Sequence, residues 1–212
     1  MTISNESRGR IKKVFEPIAL GMGRLGLTPD GLTLIGFGIT FVGAALVAAQ
    51  LWLIGGIIVF IGGVFDMFDG TLARATGQVS KLGAFMDSVF DRWGEAIVYL
   101  GIAWGGVLAG SDPVAVLAAA SMGAAFMVSY IRAKSEGLGF TAGTGMAAVG
   151  VMPREIRLVI LSIGLIAAGA TANLTILSGA MAIIAIGATI TVIQRIVHVR
   201  SQAHAATQTT TK

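Results

Sequence analysis

Four aspartates in two successive apolar segments are the residues of this sequence whose types and spacing could do chemistry. The first segment reads GGVFDMFDGTLARATG and contains Asp66 and Asp69, and the second reads LGAFMDSVFDRWGEA and contains Asp87 and Asp91. Residues three or four positions apart share one face of a helix. Each segment is therefore predicted to present two carboxylates on one side of its helix.

The two pairs are expected to meet at a similar depth on two neighbouring antiparallel helices. At ~1.5 Å per residue, the apolar stretches beside them place both pairs about 21 Å from one membrane surface. Carboxylates held this close repel one another unless they are protonated or bridged by cations. Oxygen ligands without nearby histidine or cysteine favour hard ions such as Mg²⁺ or Mn²⁺. Because two such ions can clamp a pyrophosphate, the pattern predicts phosphoryl-transfer chemistry.

Residues beside the aspartates fit a phosphate ligand. Gly70 and Gly83 let a backbone or a phosphate approach closely, and Arg74, one turn from Gly70, can neutralise phosphate oxygens. Two other interpretations remain open, namely a structural network of buried Asp–Arg pairs and a cation or proton pathway through a transporter. The network would be unbalanced, because Arg74, Arg92 and Lys81 are the cations at hand against five acids.

The composition indicates that a membrane is the solvent of this chain. Hydrophobic residues make up 55% of the 212 positions and charged residues 12%, whereas a soluble domain is about 25% charged. Continuous apolar segments approach the ~20 helical residues that cross a bilayer. The predicted fold class is an all-α membrane protein with six transmembrane helices. The six segments run approximately Leu32–Ala49, Leu51–Ala75, Leu82–Ala109, Pro113–Ala133, Glu155–Ala170 and Leu174–Val199.

The placement of the basic residues predicts the orientation. All fifteen Lys and Arg residues lie before the first segment, near the turn between the second and third, around the loop between the fourth and fifth, or near the end of the chain. Because positive charge is retained on the cytoplasmic side, both termini are expected in the cytoplasm. The stretch Arg10–Leu25 is predicted to be an amphipathic juxtamembrane helix, with an ordinary basic flank as the alternative. Residues 1–200 are predicted to form one domain and residues 201–212 a disordered polar tail.

The aspartates belong to a longer pattern. It spans eight positions, which are Asp66, Asp69, Gly70, Ala73, Arg74, Gly83, Asp87 and Asp91. In residue type and spacing this pattern resembles the signature of the CDP-alcohol phosphotransferases (CDP-alcohol phosphatidyltransferase class I). The resemblance extends over most of the chain, because that family also has six spans and often opens with a segment similar to LTPDGLTLIG.

This resemblance implies a role for each acid. Asp66 and Asp87 would contact both of two Mg²⁺ or Mn²⁺ ions, Asp69 one ion and Asp91 the other. Asp91 would also be the catalytic base that takes the proton from the attacking hydroxyl. The residues implied to bind the CDP-linked donor are Pro29, Asp30, Gly31, Leu32, Asp66, Gly70, Ala73, Arg74, Ser80 and Gly83.

A surplus of positive charge in the second half of the chain indicates an anionic acceptor. Arginine and lysine pair well with phosphate, although cytoplasmic anchoring explains any one of them equally well. The basic residues concerned are Arg132, Lys134, Arg154, Arg157 and Arg195.

Three stretches of the same region, VSYIRAKSE, PREIRLVIL and VIQR, resemble the prokaryotic phosphatidylinositol phosphate synthases and their archaeal ether-lipid relatives. That resemblance implies an inositol-phosphate pocket formed by Ser129, Arg132, Arg154 and Arg195. The chain departs from those synthases at Pro153, where they usually have an acidic residue.

The sequence thus predicts an integral membrane transferase that moves a phosphatidyl group from CDP-diacylglycerol, or an ether-lipid analogue, to inositol phosphate or another polyol phosphate, releasing CMP. Glycerol 3-phosphate, as in a phosphatidylglycerophosphate synthase, is the main alternative acceptor. A cation-coupled transporter or a non-catalytic scaffold is the alternative from another class. A homodimer in the plasma membrane, in contact with membrane lipid and with no nucleic-acid partner, is expected.

Overall fold

The computed structural model of the chain describes residues 5–140 and 145–210, and in these residues all regular structure is helical. A short 3-10 turn at Met146–Ala148 lies in the longest described connection. The α-helices are α1 (Asn5–Arg24), α2 (Pro29–Ala48), α3 (Trp52–Thr76), α4 (Lys81–Leu108), α5 (Asp112–Gly137), α6 (Arg154–Thr171) and α7 (Leu174–Thr210).

Polar side chains and a glycine define the helix ends nearest to the aspartates. The hydroxyl of Thr28 caps α2 by accepting from the backbone N–H of Gly31 at 3.1 Å. Ser80 caps α4 in the same way, accepting from the N–H of Gly83 at 2.9 Å. Helix α3 ends at Gly77, whose φ of 69° is a left-handed conformation that suits glycine. These signals leave a short turn between the two acidic helices.

Helices α2 to α7 form a closed ring. Each of them packs mainly against two others, in the order α2, α3, α6, α7, α5, α4 and back to α2. Helices α3 and α4, which were expected to be direct neighbours, both pack against α2 and are separated by it in the ring. The aspartates therefore approach one another across an interior space rather than along a tight helix–helix contact.

The two ends of the ring differ in chemistry. At the end where α2, α4 and α6 finish, all six helices contribute to one apolar core, whose fully buried members include Val47, Ile102, Leu165 and Met181. At the opposite end lie all four aspartates of the predicted site. Burial of apolar side chains thus holds one half of the ring together, and it leaves the other half free to enclose polar groups.

Two glycines allow close approach of the helices to α2. A Cβ at Gly101 of α4 would lie 2.5 Å from the backbone oxygen of Ala44, and a Cβ at Gly55 of α3 would lie 2.9 Å from the backbone nitrogen of Val47. Small residues at such contacts are typical of helices that associate in membranes. They bring both α3 and α4 close to the backbone of the last turns of α2.

Helix α1 packs on the site end of α3. Ala19 is fully buried in a small cluster with Leu32, Phe68 and Leu72, and the ring of Phe15 lies 5.2 Å from that of Phe68. The helix predicted at Arg10–Leu25 is thus present, and it begins earlier, at Asn5. It supports the helix that carries the first two aspartates.

The membrane prediction is confirmed in its coarser form. By length and apolarity, four described helices could cross a bilayer, namely α2, α3, α5 and the Leu174–His204 part of α7. Helices α4 and α6 are not among these four, and they hold ionisable residues of the site, including Glu95 near the middle of α4 and Arg157 in the first turn of α6. The chain is a helical membrane protein.

The C-terminal segment differs from the prediction of a disordered tail beginning at residue 201. Helix α7 continues to Thr210, and residues 211–212 lie outside the described part of the chain. The sequence SQAHAATQ contains no glycine or proline, and alanine and glutamine favour helices.

Replacing Gly101 by alanine should weaken the contact between α2 and α4. The added Cβ would meet the Ala44 carbonyl, and such overpacking costs about 1–3 kcal/mol. We expect the melting temperature of the detergent-solubilised protein to fall by about 2–10 °C. Gly123→Ala is the matched control, because a Cβ at Gly123 meets nothing within 4 Å. An unchanged melting temperature for Gly101→Ala would contradict this packing.

Candidate active site

The structure brings the four predicted aspartates together at one end of the ring. Asp66 and Asp69 lie in the last turns of α3, and Asp87 and Asp91 lie in the first turns of α4. Asp87 is close enough to each of the other three to interact with it electrostatically. Like charges at this proximity require positive charge nearby.

Arg154 supplies that charge from the first residue of α6. Its Nη2 donates to Asp66 Oδ2 at 2.9 Å, and its Nη1 contacts Asp91 Oδ1 at 2.8 Å. Arg92 also pairs with Asp91 at 3.1 Å. One guanidinium thus joins α3, α4 and α6, and it holds one acid from each of the two acidic helices.

Asp69 is held differently, by neutral donors. The hydroxyl of Thr33 on α2 donates to Asp69 Oδ2 at 2.5 Å, and the backbone N–H of Gly70 donates to Asp69 Oδ1. Asp69 is itself buried. These contacts fix the carboxylate at the junction of α2 and α3, where helix α2 begins.

The donor set is compatible with divalent ions. Within the described residues no three acidic or histidine side chains are arranged to hold an ion as they stand, and Arg154 occupies Asp66 and Asp91. The four aspartates nevertheless interact with one another electrostatically, and two of them pair with the Arg154 guanidinium. A site of oxygen ligands that binds a guanidinium between two helices fits a hard metal ion that competes for the same oxygens.

A cavity of about 240 Å³ adjoins the Asp69 side of the site. It contains most of the residues implied to bind the CDP-linked donor. Gly31 and Leu32 are not in its wall, since Leu32 is fully buried against α3, and Asp66 faces Arg154 instead. The wall includes Pro29, Asp30, Asp69, Gly70, Ala73, Arg74, Ser80, Gly83 and Asp87.

A larger cavity of about 760 Å³ lies on the other side of Asp87 and Asp91. All four residues implied to bind the acceptor line it, together with Arg92 and Arg157. The cavity runs between α4, α5 and the beginning of α6. The predicted acceptor residues in its wall are Ser129, Arg132, Arg154 and Arg195.

The arginines of this cavity differ in how they are held. Arg132 is half-exposed and pairs with Glu136 at 3.0 Å. Arg195 is buried, and it donates to the backbone oxygens of Val128 at 2.5 Å and Val149 at 3.0 Å. Arg195 therefore ties α7 to α5 and to the loop before α6, and its Nη2 group remains chemically able to donate to an anion.

A buried ion pair between Glu95 and Arg157 was missed by the sequence reasoning. Arg157 Nε and Nη2 donate to Glu95 Oε1 and Oε2 at 2.6 and 2.8 Å. The cations considered for a buried network were Arg74, Arg92 and Lys81. Of these, Arg92 pairs with Asp91, and the other site cations are Arg154 and Arg157 of α6. The sequence did contain a signal for this pair. Asp91 and Glu95 lie four residues apart and Arg154 and Arg157 three residues apart, so each helix presents two charges on one face, acidic on α4 and basic on α6.

Comparison with known proteins identifies the family. Residues 26–193 match the CDP-alcohol phosphatidyltransferase family. An archaetidylinositol phosphate synthase from Pyrococcus horikoshii is 34% identical over 74% of this chain and 78% of its own. A phosphatidylinositol phosphate synthase from Mycobacteroides abscessus is 32% identical over 92% of this chain and 87% of its own. The chain belongs to the CDP-alcohol phosphatidyltransferase family, and the membership predicted from the aspartate pattern is confirmed.

Solved structures support the same assignment. The phosphatidylinositol phosphate synthase of Mycobacterium tuberculosis with CDP-DAG bound superposes with a TM-score of 0.79, at 30% identity, covering 88% of this chain and 94% of that one. Its structure in complex with manganese and citrate gives a TM-score of 0.78 at the same identity, covering 87% and 88% of the two chains. The chain is thus an enzyme of the phospholipid synthase type, as the sequence predicted.

Replacing Thr33 by valine should impair the donor side of the site. The hydroxyl that orients Asp69 is lost while the side-chain shape is kept, and a hydrogen bond to a charged group contributes about 1.5–3 kcal/mol. We expect the rate of CMP release from a CDP-linked lipid to fall roughly tenfold or more. Thr40→Val, which alters another buried threonine of α2, serves as the control. Equal rates for the two variants would argue against a role for the Thr33–Asp69 contact.

Proposed function

We propose that this enzyme transfers the phosphatidyl group of CDP-diacylglycerol, or of an ether-lipid analogue, to a hydroxyl of inositol phosphate and releases CMP. The observation that carries the proposal is the position of Asp87. This acid lines both the cavity with the donor residues and the cavity rich in arginine. A nucleotide-linked donor and an anionic acceptor would therefore meet at the same group of carboxylates.

The donor cavity suits the cytidine-diphosphate part of the lipid. Arg74 lies in its wall and can pair with phosphate oxygens. A Cβ at Gly70 would come within 3.1 Å of the Arg74 guanidinium, and a Cβ at Gly83 would approach Ser80 and Asp30. Both glycines thus keep space for a ligand beside polar groups, in agreement with the roles that the family resemblance implies.

The acceptor cavity suits a phosphorylated polyol. Its wall combines five arginines with two serines and the carboxylates of Asp87 and Asp91. Arginine forks bind phosphate through paired N–H donors, while the remaining polar groups can accept from ring hydroxyls. Uncharged acceptors would leave this positive charge without a phosphate partner. The relatives, which are named archaetidylinositol phosphate synthase and phosphatidylinositol phosphate synthase, support the same acceptor.

Two divalent ions, Mg²⁺ or Mn²⁺, are proposed to be held by Asp66, Asp69, Asp87 and Asp91. When bound, they supply positive charge that stabilises the pyrophosphate oxygens as the bond to CMP breaks. The manganese complex of the mycobacterial relative and the carboxylate-only donor set support this assignment. Asp66 and Asp87 would be shared between both ions, as the resemblance implies.

Asp91 is the proposed catalytic base. Its carboxylate accepts the proton of the acceptor hydroxyl while the hydroxyl oxygen bonds to the lipid-linked phosphorus. The phosphorus–oxygen bond to the other phosphate breaks, and CMP leaves with that electron pair. Arg154 contacts Asp91 Oδ1 and Arg92 contacts Asp91 Oδ2, and Arg154 is proposed to release Asp91 as the proton moves. The acceptor phosphate offers Arg154 a new partner in the same cavity.

The proposed setting is the plasma membrane, with all six ring helices crossing it and both termini in the cytoplasm. The ionisable first turns of α4 and α6 would lie near the cytoplasmic headgroups, where the basic residues concentrate. A lipid donor could then enter between helices while its nucleotide stays close to the cytosol. A homodimer is proposed from the family resemblance.

Glycerol 3-phosphate is the alternative acceptor, because it is also anionic and Pro153, the N-cap residue of α6, departs from the pattern of inositol phosphate enzymes.

The decisive experiment is CMP release by the purified protein from CDP-diacylglycerol with Mn²⁺ and a panel of acceptors. We expect release with inositol phosphate and none with Asp91→Asn. Release with glycerol 3-phosphate alone would refute the acceptor assignment. No release with any acceptor would favour a transporter or scaffold.

Arg154→Gln should bind Mn²⁺ more tightly than the unaltered protein. The arginine competes for Asp66 and Asp91, and unit charges 4 Å apart interact by about 4 kcal/mol near a protein surface. We expect at least a tenfold lower dissociation constant by isothermal titration calorimetry. Arg132→Gln removes the same charge from the same cavity, but its partner is Glu136, so its Mn²⁺ affinity should change little. Equal effects of the two variants would show that Arg154 does not compete directly.

A further inference from the structure

The Glu95–Arg157 pair is a polar contact in the middle of the ring that the proposed chemistry does not use. Arg157 is 1% exposed, and besides the two bonds to Glu95 it donates through Nη1 to the backbone oxygen of Met152 at 3.0 Å. The hydroxyl of Tyr99, also buried, lies 3.4 Å from Glu95 Oε1. All three guanidinium nitrogens of Arg157 thus have partners.

This pair joins two helices that are not principal packing partners. Helix α4 packs mainly against α2 and α5, and helix α6 packs mainly against α3 and α7. The contact between Glu95 and Arg157 therefore spans the interior of the ring. One turn closer to the cytoplasmic end, Asp91 and Arg154 make a second contact between the same helices.

The two contacts differ in exposure. The side chain of Arg154 is 29% exposed and opens onto the acceptor cavity, whereas that of Arg157 is 1% exposed. Apolar side chains of similar volume are often at least as stabilising as a buried ion pair. The Glu95–Arg157 ion pair lies beside the apolar side chains of Val98, Leu158 and Leu161. The geometry that the pair imposes on the two helices explains it better than a contribution to the stability of the fold.

We infer that Glu95 and Arg157 are positioning residues for the acceptor. Their bidentate contact fixes the beginning of α6 at a set distance from α4, and the bond to Met152 fixes the chain that leads into α6. Arg154, three residues before Arg157, is thereby held where it can move from Asp66 and Asp91 to the acceptor phosphate. The inference rests on the proposed function only in requiring that the acceptor be anionic.

The test compares Michaelis constants for the two substrates. Removing both charges in the Glu95→Gln/Arg157→Gln double variant avoids leaving one buried charge unpaired. We expect its KM for the anionic acceptor to rise at least fivefold, while its KM for CDP-diacylglycerol stays within twofold. Arg157→Lys keeps the charge but loses the fork geometry, and it should show an intermediate rise. The acceptor used is whichever one the unaltered enzyme accepts, so an error in acceptor identity leaves this test intact.

A structural control separates positioning from general loosening. Ser121→Ala removes a buried bond from Ser121 to the backbone oxygen of Met181 at 2.8 Å, between α5 and α7. It should lower the melting temperature without changing the acceptor KM. An acceptor KM within twofold of the unaltered value in the folded double variant would overturn the inference. So would equal rises of both Michaelis constants, or a rise of the same size in Ser121→Ala.

Discussion

Carboxylates gathered inside a membrane protein need positive charge, and Arg154 meets that requirement in this structure. It binds Asp66 of α3 at 2.9 Å and Asp91 of α4 at 2.8 Å from its place at the start of α6. The same oxygens are those proposed to bind metal ions, and the same guanidinium faces the proposed acceptor cavity. One ion pair thus connects the charge balance of the site with its proposed chemistry.

The remainder of the fold can be understood from this requirement. Apolar residues of all six ring helices fill one end of the molecule, so the charged groups are confined to the other end. Helices α3, α4 and α6 carry these groups in the halves that lie at that end. Polar contacts from Thr33, Glu95 and Arg157 then hold the helices that surround the site.

The sequence was sufficient for the helices and for the acidic centre, because both depend on local patterns. Apolar length located all six ring helices, and the spacing of Asp66, Asp69, Asp87 and Asp91 grouped them correctly. It could not supply the partners of Arg154 and Arg157, which lie 88 and 62 residues away along the chain, because such contacts follow from the order of helices around the ring. Charge counting had assigned these arginines to the acceptor region or to the membrane flank.

The most direct test of the account is a pair of high-resolution structures of this protein, one without ligands and one with Mn²⁺ and inositol phosphate. The account predicts that Arg154 contacts Asp66 and Asp91 in the first, and that in the second its guanidinium has moved to the acceptor phosphate while Arg157 stays on Glu95. Contacts from Arg154 to both aspartates that persist with both ligands bound would contradict it.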